Sequence, residues 1–110
     1  GDIYLLKNNG QLLRFTQTKQ PDDTFTLSNI NPPMEKPTAL FMGLGQNDNI
    51  FIAEPYHKRI LEINKNGQFQ RQYILESPAI KSISDLNVDY AKSAIYFLSE
   101  NKIYKINASK

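Results

Sequence analysis

Ile50-Phe51-Ile52-Ala53, a run of four apolar residues in the middle of the chain, decides the fold because close copies of it occur on either side. The copies are Ile3-Tyr4-Leu5-Leu6 and Ile95-Tyr96-Phe97-Leu98, so the runs start at positions 3, 50 and 95, which are 47 and 45 residues apart. β-Branched and aromatic residues dominate all three runs, as they do in β-strands. The chain therefore contains a β-rich repeat.

Each run is followed, after a turn, by a second short apolar run. The second runs are Leu12-Leu13-Arg14-Phe15, Ile60-Leu61-Glu62-Ile63 and Ile103-Tyr104-Lys105-Ile106. A repeat of about 40 to 50 residues made of several short strands is typical of the four-stranded blades of a β-propeller. We therefore predict an all-β fold, and more specifically a β-propeller fragment.

The turn residues between the runs predict how the strands are grouped. With the strands of a blade named a to d from the axis outward, the chain reads b-c-d, a-b-c-d, a-b-c. This predicts a partial blade over residues 1–31, a complete blade over 37–76 and a second partial blade over 82–110, together part of one propeller domain. Within the first unit we expect strands at 2–7, 11–18 and 24–30.

The turn Asn8-Asn9-Gly10 leaves one alternative open. Asn-Gly favours a hairpin because both residues adopt positive φ at little cost. Residues 7–11 also align without gaps to residues 64–68, which would make the first two strands c and d instead of b and c. The even spacing of the repeat favours b and c.

Composition excludes several classes of partner and site. Among the 110 residues, 13 are basic and 11 acidic, and a net charge of +2 is too small to indicate nucleic acid or an anionic membrane as a partner. The chain has no cysteine, so disulfides and thiolate metal sites are excluded. No apolar stretch approaches the roughly 20 residues of a membrane helix, and we expect no membrane insertion by this segment.

The middle repeat resembles NHL and YVTN-like propeller repeats. Asn49-Ile50-Phe51-Ile52-Ala53-Glu54 resembles their second strand, His57-Lys58-Arg59-Ile60 their Asn-His-Arg-Ile segment, and Asn66-Gly67-Gln68-Phe69 their last turn. Lys58 replaces the histidine of that segment. In the last repeat, residues 85–89, 95–98 and 103–106 resemble strands a, b and c. The resemblance is specific for fold and says little about activity, because such propellers include binders, scaffolds, lyases and lactonases.

The resemblance implies a non-catalytic interaction or scaffold module. We expect the chain to be the C-terminal blades of a larger modular protein, since similar repeats occur at the ends of bacterial surface and signalling proteins and the chain ends after a c strand. The compartment is unknown, although a membrane-tethered parent would fit that resemblance. Two alternatives remain: part of a lactonase- or lyase-type propeller enzyme with a metal at the central axis, or a purely structural assembly unit.

Candidate binding residues come from the loops that share one face of a propeller. The b–c and d–a loops meet there, and the candidates are Glu54, Tyr56, His57, Lys58, Arg59, Lys81 and Glu100. A structural interpretation competes with this one, because Glu54 and Arg59 at the ends of adjacent strands would form an ion pair, and His57 would be a solvated loop residue. We predict no catalytic residue, no metal site and no cofactor, since no loop has the dense carboxylate spacing of a calcium site.

The open ends of the predicted array indicate the partners. A propeller needs about four or more blades to close, so the outer faces of the first and last blades should expose apolar surface. We therefore expect self-association or pairing with the missing blades, and a protein, peptide or carbohydrate ligand at the loop face. Nucleic acid is not expected, because the basic residues alternate with acidic ones and only Tyr56 is placed to stack on a base.

Overall fold

The computed structural model describes residues 2–17 and 20–108, so the predicted limits at Gly1, Thr18 and Lys110 lie outside it. Nine β-strands and one short 3₁₀ helix form in these ranges. They are β1 (Ile3–Leu6), β2 (Leu12–Phe15), β3 (Ala39–Met42), β4 (Ile50–Glu54), the 3₁₀ helix (Pro55–His57), β5 (Arg59–Ile63), β6 (Phe69–Ile74), β7 (Asp85–Asp89), β8 (Ala94–Ser99) and β9 (Lys102–Asn107). The all-β prediction is confirmed.

The strands form three antiparallel sheets in chain order: β1-β2, β3-β4-β5-β6 and β7-β8-β9. The second and third sheets contain the strands that the sequence predicts. The first sheet has two strands instead of three, so the predicted strand at 24–30 is wrong. That segment contributes an isolated parallel bridge between Ser28 and Gln68, next to the edge of the second sheet.

The second sheet lies between the other two, and its strands β4 and β5 are buried on both faces. Alternate residues of β4 and β5 enter two separate cores, because successive side chains of a strand point to opposite faces. Phe51, Ala53 and Ile60 pack against the third sheet. Ile50, Ile52, Leu61 and Ile63 pack against the first sheet and the segment that follows it. The central sheet thus has no free face over β4 and β5.

Two hydrogen bonds set the direction of the first hairpin. The Tyr4 hydroxyl donates to the Lys65 carbonyl at 2.9 Å, and Arg14 Nη1 donates to the same carbonyl at 3.2 Å. The open end of the β1–β2 hairpin therefore lies at the β5–β6 turn, and its closed end lies at the other end of the sheet, where Gly10 meets the backbone of Met34 and Glu35. β1 runs parallel to β4, which favours the b and c assignment.

The turns at Gly10 and Gly67 have the same geometry. The N–H of Gly10 donates to the Lys7 carbonyl and that of Gly67 to the Asn64 carbonyl, at 3.1 and 3.0 Å. Only the glycine takes positive φ, at 96° and 87°, so the expectation of positive φ at the preceding asparagine is wrong. This is the three-residue hairpin with a bulged glycine, not the two-residue turn.

The first strands of the second and third sheets, β3 and β7, form a row. β7 lies against β3 and β4, and the Thr38 hydroxyl donates to the Ile83 carbonyl at 2.6 Å just before these strands begin. The second sheet ends in β3, and the third ends in β7. Within the described residues the first sheet consists of β1 and β2 alone, so it has no strand that corresponds to β3 or β7.

Candidate functional site

Glu54 is the most constrained of the candidate residues. The sequence predicts it in a loop, but it is the last residue of β4 and its side chain is fully buried. Arg59 lies opposite it at the start of β5, with 1% of its side chain exposed. Arg59 Nε and Nη2 both lie 2.7 Å from Glu54 Oε1. The predicted ion pair is confirmed, and both of its side chains are buried.

The ion pair also holds the proline-rich connection that precedes β3. The backbone N–H groups of Glu35 and Lys36 donate to Glu54 Oε2, the second at 3.3 Å. Arg59 Nη2 donates to the Pro32 carbonyl at 2.6 Å. The sequence pattern contains no signal for these partners, because they lie 18 to 27 residues away from the pair in the chain. We call Glu35, Glu54, His57 and Arg59 the Glu54 cluster.

Hydrogen bonding decides the charge of Glu54. Burial alone would raise its pKa, but the Glu35 backbone N–H, Arg59 and His57 outweigh burial and hold the pKa below its usual value. The group is therefore a carboxylate whose bonds are satisfied within the chain. Its chemistry is that of a structural anchor.

His57 lies between two carboxylates. Its Nδ1 is 3.0 Å from Glu54 Oε2 and its Nε2 is 3.2 Å from Glu35 Oε2. Its ring meets that of Tyr56 edge-on at 4.8 Å, and Lys36 Nζ lies 4.7 Å from the Tyr56 ring centre. The imidazole is partly buried, so the expectation of a solvated loop residue is wrong.

Of the remaining candidates, Tyr56 touches the cluster through the His57 ring, and Lys58, Lys81 and Glu100 lie outside it. Lys58 takes a left-handed conformation at φ 56° and its Nζ donates to the Ile80 carbonyl at 3.0 Å, which places it beside exposed Lys81. Glu100 lies in the β8–β9 turn, also at positive φ and exposed. Of the seven predicted residues, the structure therefore joins Glu54, His57 and Arg59 directly. A shared binding face for the others stays a prediction.

The outer face of the first sheet is apolar over β1 and β2. Register pairs Ile3 with Phe15 and Leu5 with Leu13, and these four side chains point away from the central sheet. Ile3 is 65% and Leu5 50% exposed. We call this surface the N-terminal face.

The outer face of the third sheet is mixed. One row contains Asp85, Leu98 and Ile103, and the next contains Asn87, Tyr96 and Lys105. Ile103 is 77% exposed, and a shallow hollow of about 200 Å³ lies between these rows. We call this surface the C-terminal face. The prediction of exposed apolar surface at both ends of the array is confirmed.

Tyr90 connects the second and third sheets at the end opposite the Glu54 cluster. Its hydroxyl donates to the Asn49 carbonyl at 2.5 Å and accepts from the Gly43 N–H at 2.9 Å. Burial raises the pKa of Tyr90 to about 12. The neutral phenol therefore fixes the β3–β4 loop.

Comparison with known proteins gives no family to which this chain can be assigned. A scan against protein-family models finds no match, and neither does a search of curated proteins. Within residues 2–17 and 20–108, no group of three or more His, Cys, Asp or Glu side chains could hold a metal ion. None of the helices described is long and apolar enough to span a membrane.

Proposed function

We propose that this chain is a non-catalytic assembly module, a β-propeller fragment whose two open faces pack against further blades. The observation that carries this is the contrast between the sheets. The central sheet buries both faces of β4 and β5, whereas each flanking sheet leaves one face with exposed apolar residues. Exposed apolar patches of this kind mark interaction surfaces.

The chain itself supports a head-to-tail arrangement. At both internal junctions, the face of a sheet that corresponds to the C-terminal face packs on the face of the following sheet that corresponds to the N-terminal face. The two open faces are one of each kind. A second copy would therefore place its N-terminal face on the C-terminal face of the first, and this contact is heterologous.

Light scattering of face variants tests the proposal. Wild-type protein should show a mass that rises with concentration above that of the monomer. Leu5→Lys and Ile103→Lys should each be monomeric, because each places a charge in the contact. Leu44→Lys is the matched control, since Leu44 is fully exposed in a loop outside both faces.

Mixing the two face variants tests the arrangement. In a head-to-tail contact, Leu5→Lys keeps a native C-terminal face and Ile103→Lys a native N-terminal face, so an equimolar mixture should form dimers and nothing larger. A wild-type chain that remains a monomer at all concentrations would overturn self-association. A mixture that fails to dimerise, although wild type does, would overturn the head-to-tail arrangement.

A further inference from the structure

The gap beside β1 is the strongest unassigned feature of the molecule. β1 has only β2 as a partner among the described residues, so its other edge is unpaired. The gap lies between that edge and the face of β3 that turns away from β7. Leu40 and Met42 form its floor, and both are only partly buried.

A cavity lies at each end of this gap. One of about 450 Å³ is lined by residues that include Asp2, Tyr4, Met42 and Lys65. The other, of about 600 Å³, lies between the β1–β2 turn and the approach to β3, at Asn9, Lys36 and Thr38 among others. Open space therefore lies at both ends of β1.

The backbone of β1 offers hydrogen-bonding groups to this space. The Lys7 N–H donates to the Gln11 carbonyl at 2.8 Å, which makes Lys7 and Gln11 a hydrogen-bonded pair. Such pairs alternate with non-bonded pairs along an antiparallel ladder. The register then directs the N–H and C=O groups of Tyr4 and Leu6 to the free edge.

We propose that this gap accepts an extended peptide strand, antiparallel to β1, with apolar side chains at alternate positions against Leu40 and Met42. Such a strand would extend the first sheet by β-augmentation. The row formed by β3 and β7 supports this occupant, because β7 covers the opposite face of β3 and the gap is the next place in that row. The proposal concerns a strand edge and is independent of face-to-face assembly.

The chain supplies a suitable probe, because β3 has the required pattern. A fluorescein-labelled peptide of residues 37–43, Pro-Thr-Ala-Leu-Phe-Met-Gly, with lysines added at both ends for solubility, should bind the intact protein by fluorescence anisotropy. Two control peptides, each N-methylated at every second backbone nitrogen, test the backbone pairing. One lacks the N–H groups that face β1, and the other lacks those that face away from it. The one that loses the N–H groups facing β1 should not bind.

Two protein variants separate this site from the open faces. Met42→Lys should weaken peptide binding about tenfold or more, because it places a charge in the apolar floor. Ile103→Lys should bind the peptide like wild type even where it no longer self-associates. Circular dichroism and melting should show both variants folded.

Amide hydrogen exchange gives a residue-level readout that does not depend on a variant. Addition of the peptide should slow exchange at Tyr4 and Leu6, while Leu5, which already pairs with β2, should change little. Equal binding by Met42→Lys and wild type would overturn the proposal. So would protection of Tyr4 and Leu6 before peptide is added, which would show that the edge is already paired with a second copy.

Discussion

Glu54→Gln is the substitution that most directly tests the structural role of the Glu54 cluster. It keeps the size of the side chain and removes the charge, so Arg59, with 1% of its side chain exposed, becomes a buried cation without a counterion. The glutamine amide has one oxygen where Glu54 has two. Its NH₂ group must therefore face either Arg59 or the Glu35 and Lys36 N–H groups, and in both cases donors meet donors. Removing one partner of a buried ion pair costs about 3–5 kcal/mol, against about 0–1 kcal/mol for an exposed pair.

Urea denaturation followed by circular dichroism measures this cost. With an m value of about 2 kcal/mol/M, the midpoint should fall by about 2 M. Glu35→Gln is the matched control, because Glu35 also faces His57 but its carboxylate is 56% exposed, and it should cost less than about 1 kcal/mol. Equal effects of the two substitutions would refute the buried ion pair. The double variant Glu54→Leu with Arg59→Met should recover only part of the loss, since it leaves no buried charge but removes the partners of the Glu35 and Lys36 N–H groups and of the Pro32 carbonyl.

Three further substitutions test other parts of the fold. Tyr90→Phe should lower the free energy of unfolding by about 1–3 kcal/mol, because it leaves the Gly43 N–H and the Asn49 carbonyl without their partner. Because the pKa of Tyr90 is raised to about 12, the stability that the phenol confers should be lost between about pH 10 and 12, and alkaline melting curves of the variant should lack this loss. Gly10→Ala should cost about 2 kcal/mol or more in urea titrations, because φ is 96° and a Cβ would lie 1.9 Å from a backbone oxygen, whereas Gly45→Ala meets only a flexible side chain and should cost less. Hydrogen bonds from Thr24 and Arg14 lower the pKa of Asp22 to about 2, so the stability that they provide is present above about pH 4 and is lost as the pH falls through 2. The difference in melting temperature between wild type and Asp22→Asn should therefore shrink over that range. A constant difference would contradict this assignment.

The strands of the central sheet were predictable from sequence because each signal was local. Ile50-Phe51-Ile52-Ala53 is apolar at four consecutive positions, which is typical of a strand buried on both faces, and β4 is such a strand. The turn at Gly67 needed only a glycine that tolerates positive φ. Periodicity and turn chemistry were sufficient in these places.

The segment 24–30 shows where local signals fail. Phe25 is buried and Leu27 packs against the same core, as their alternation predicts. Alternation identifies which side chains are buried, however, and does not specify which backbone pairs with which. Here the backbone meets the second sheet at Gln68 instead of β2. A pairing decided by distant packing has no signature in the segment itself.

The Glu54 cluster was predictable only in part, for the same reason. The sequence places Glu54 and Arg59 at facing strand ends, so their pairing follows from the hairpin. Their burial depends on the connection that contributes Glu35 and Pro32, and nothing in the β4–β5 hairpin specifies its course. The sequence therefore predicts the ion pair, and the tertiary structure determines how much its removal costs in stability.

The two open faces differ in a way that bears on how an assembly would grow. In stacked repeats, stability is the sum of each repeat and its interfaces, and a polar outer surface allows a terminal repeat to remain uncovered. The C-terminal face carries Asp85 and Lys105 among its apolar residues, whereas the four side chains of the N-terminal face are all apolar and the nearest charge, on Lys7, lies at its margin. The N-terminal face therefore gains more from being covered. Association would be driven mainly by that face, with the charged side chains of its partner surface limiting the affinity to a reversible, concentration-dependent contact.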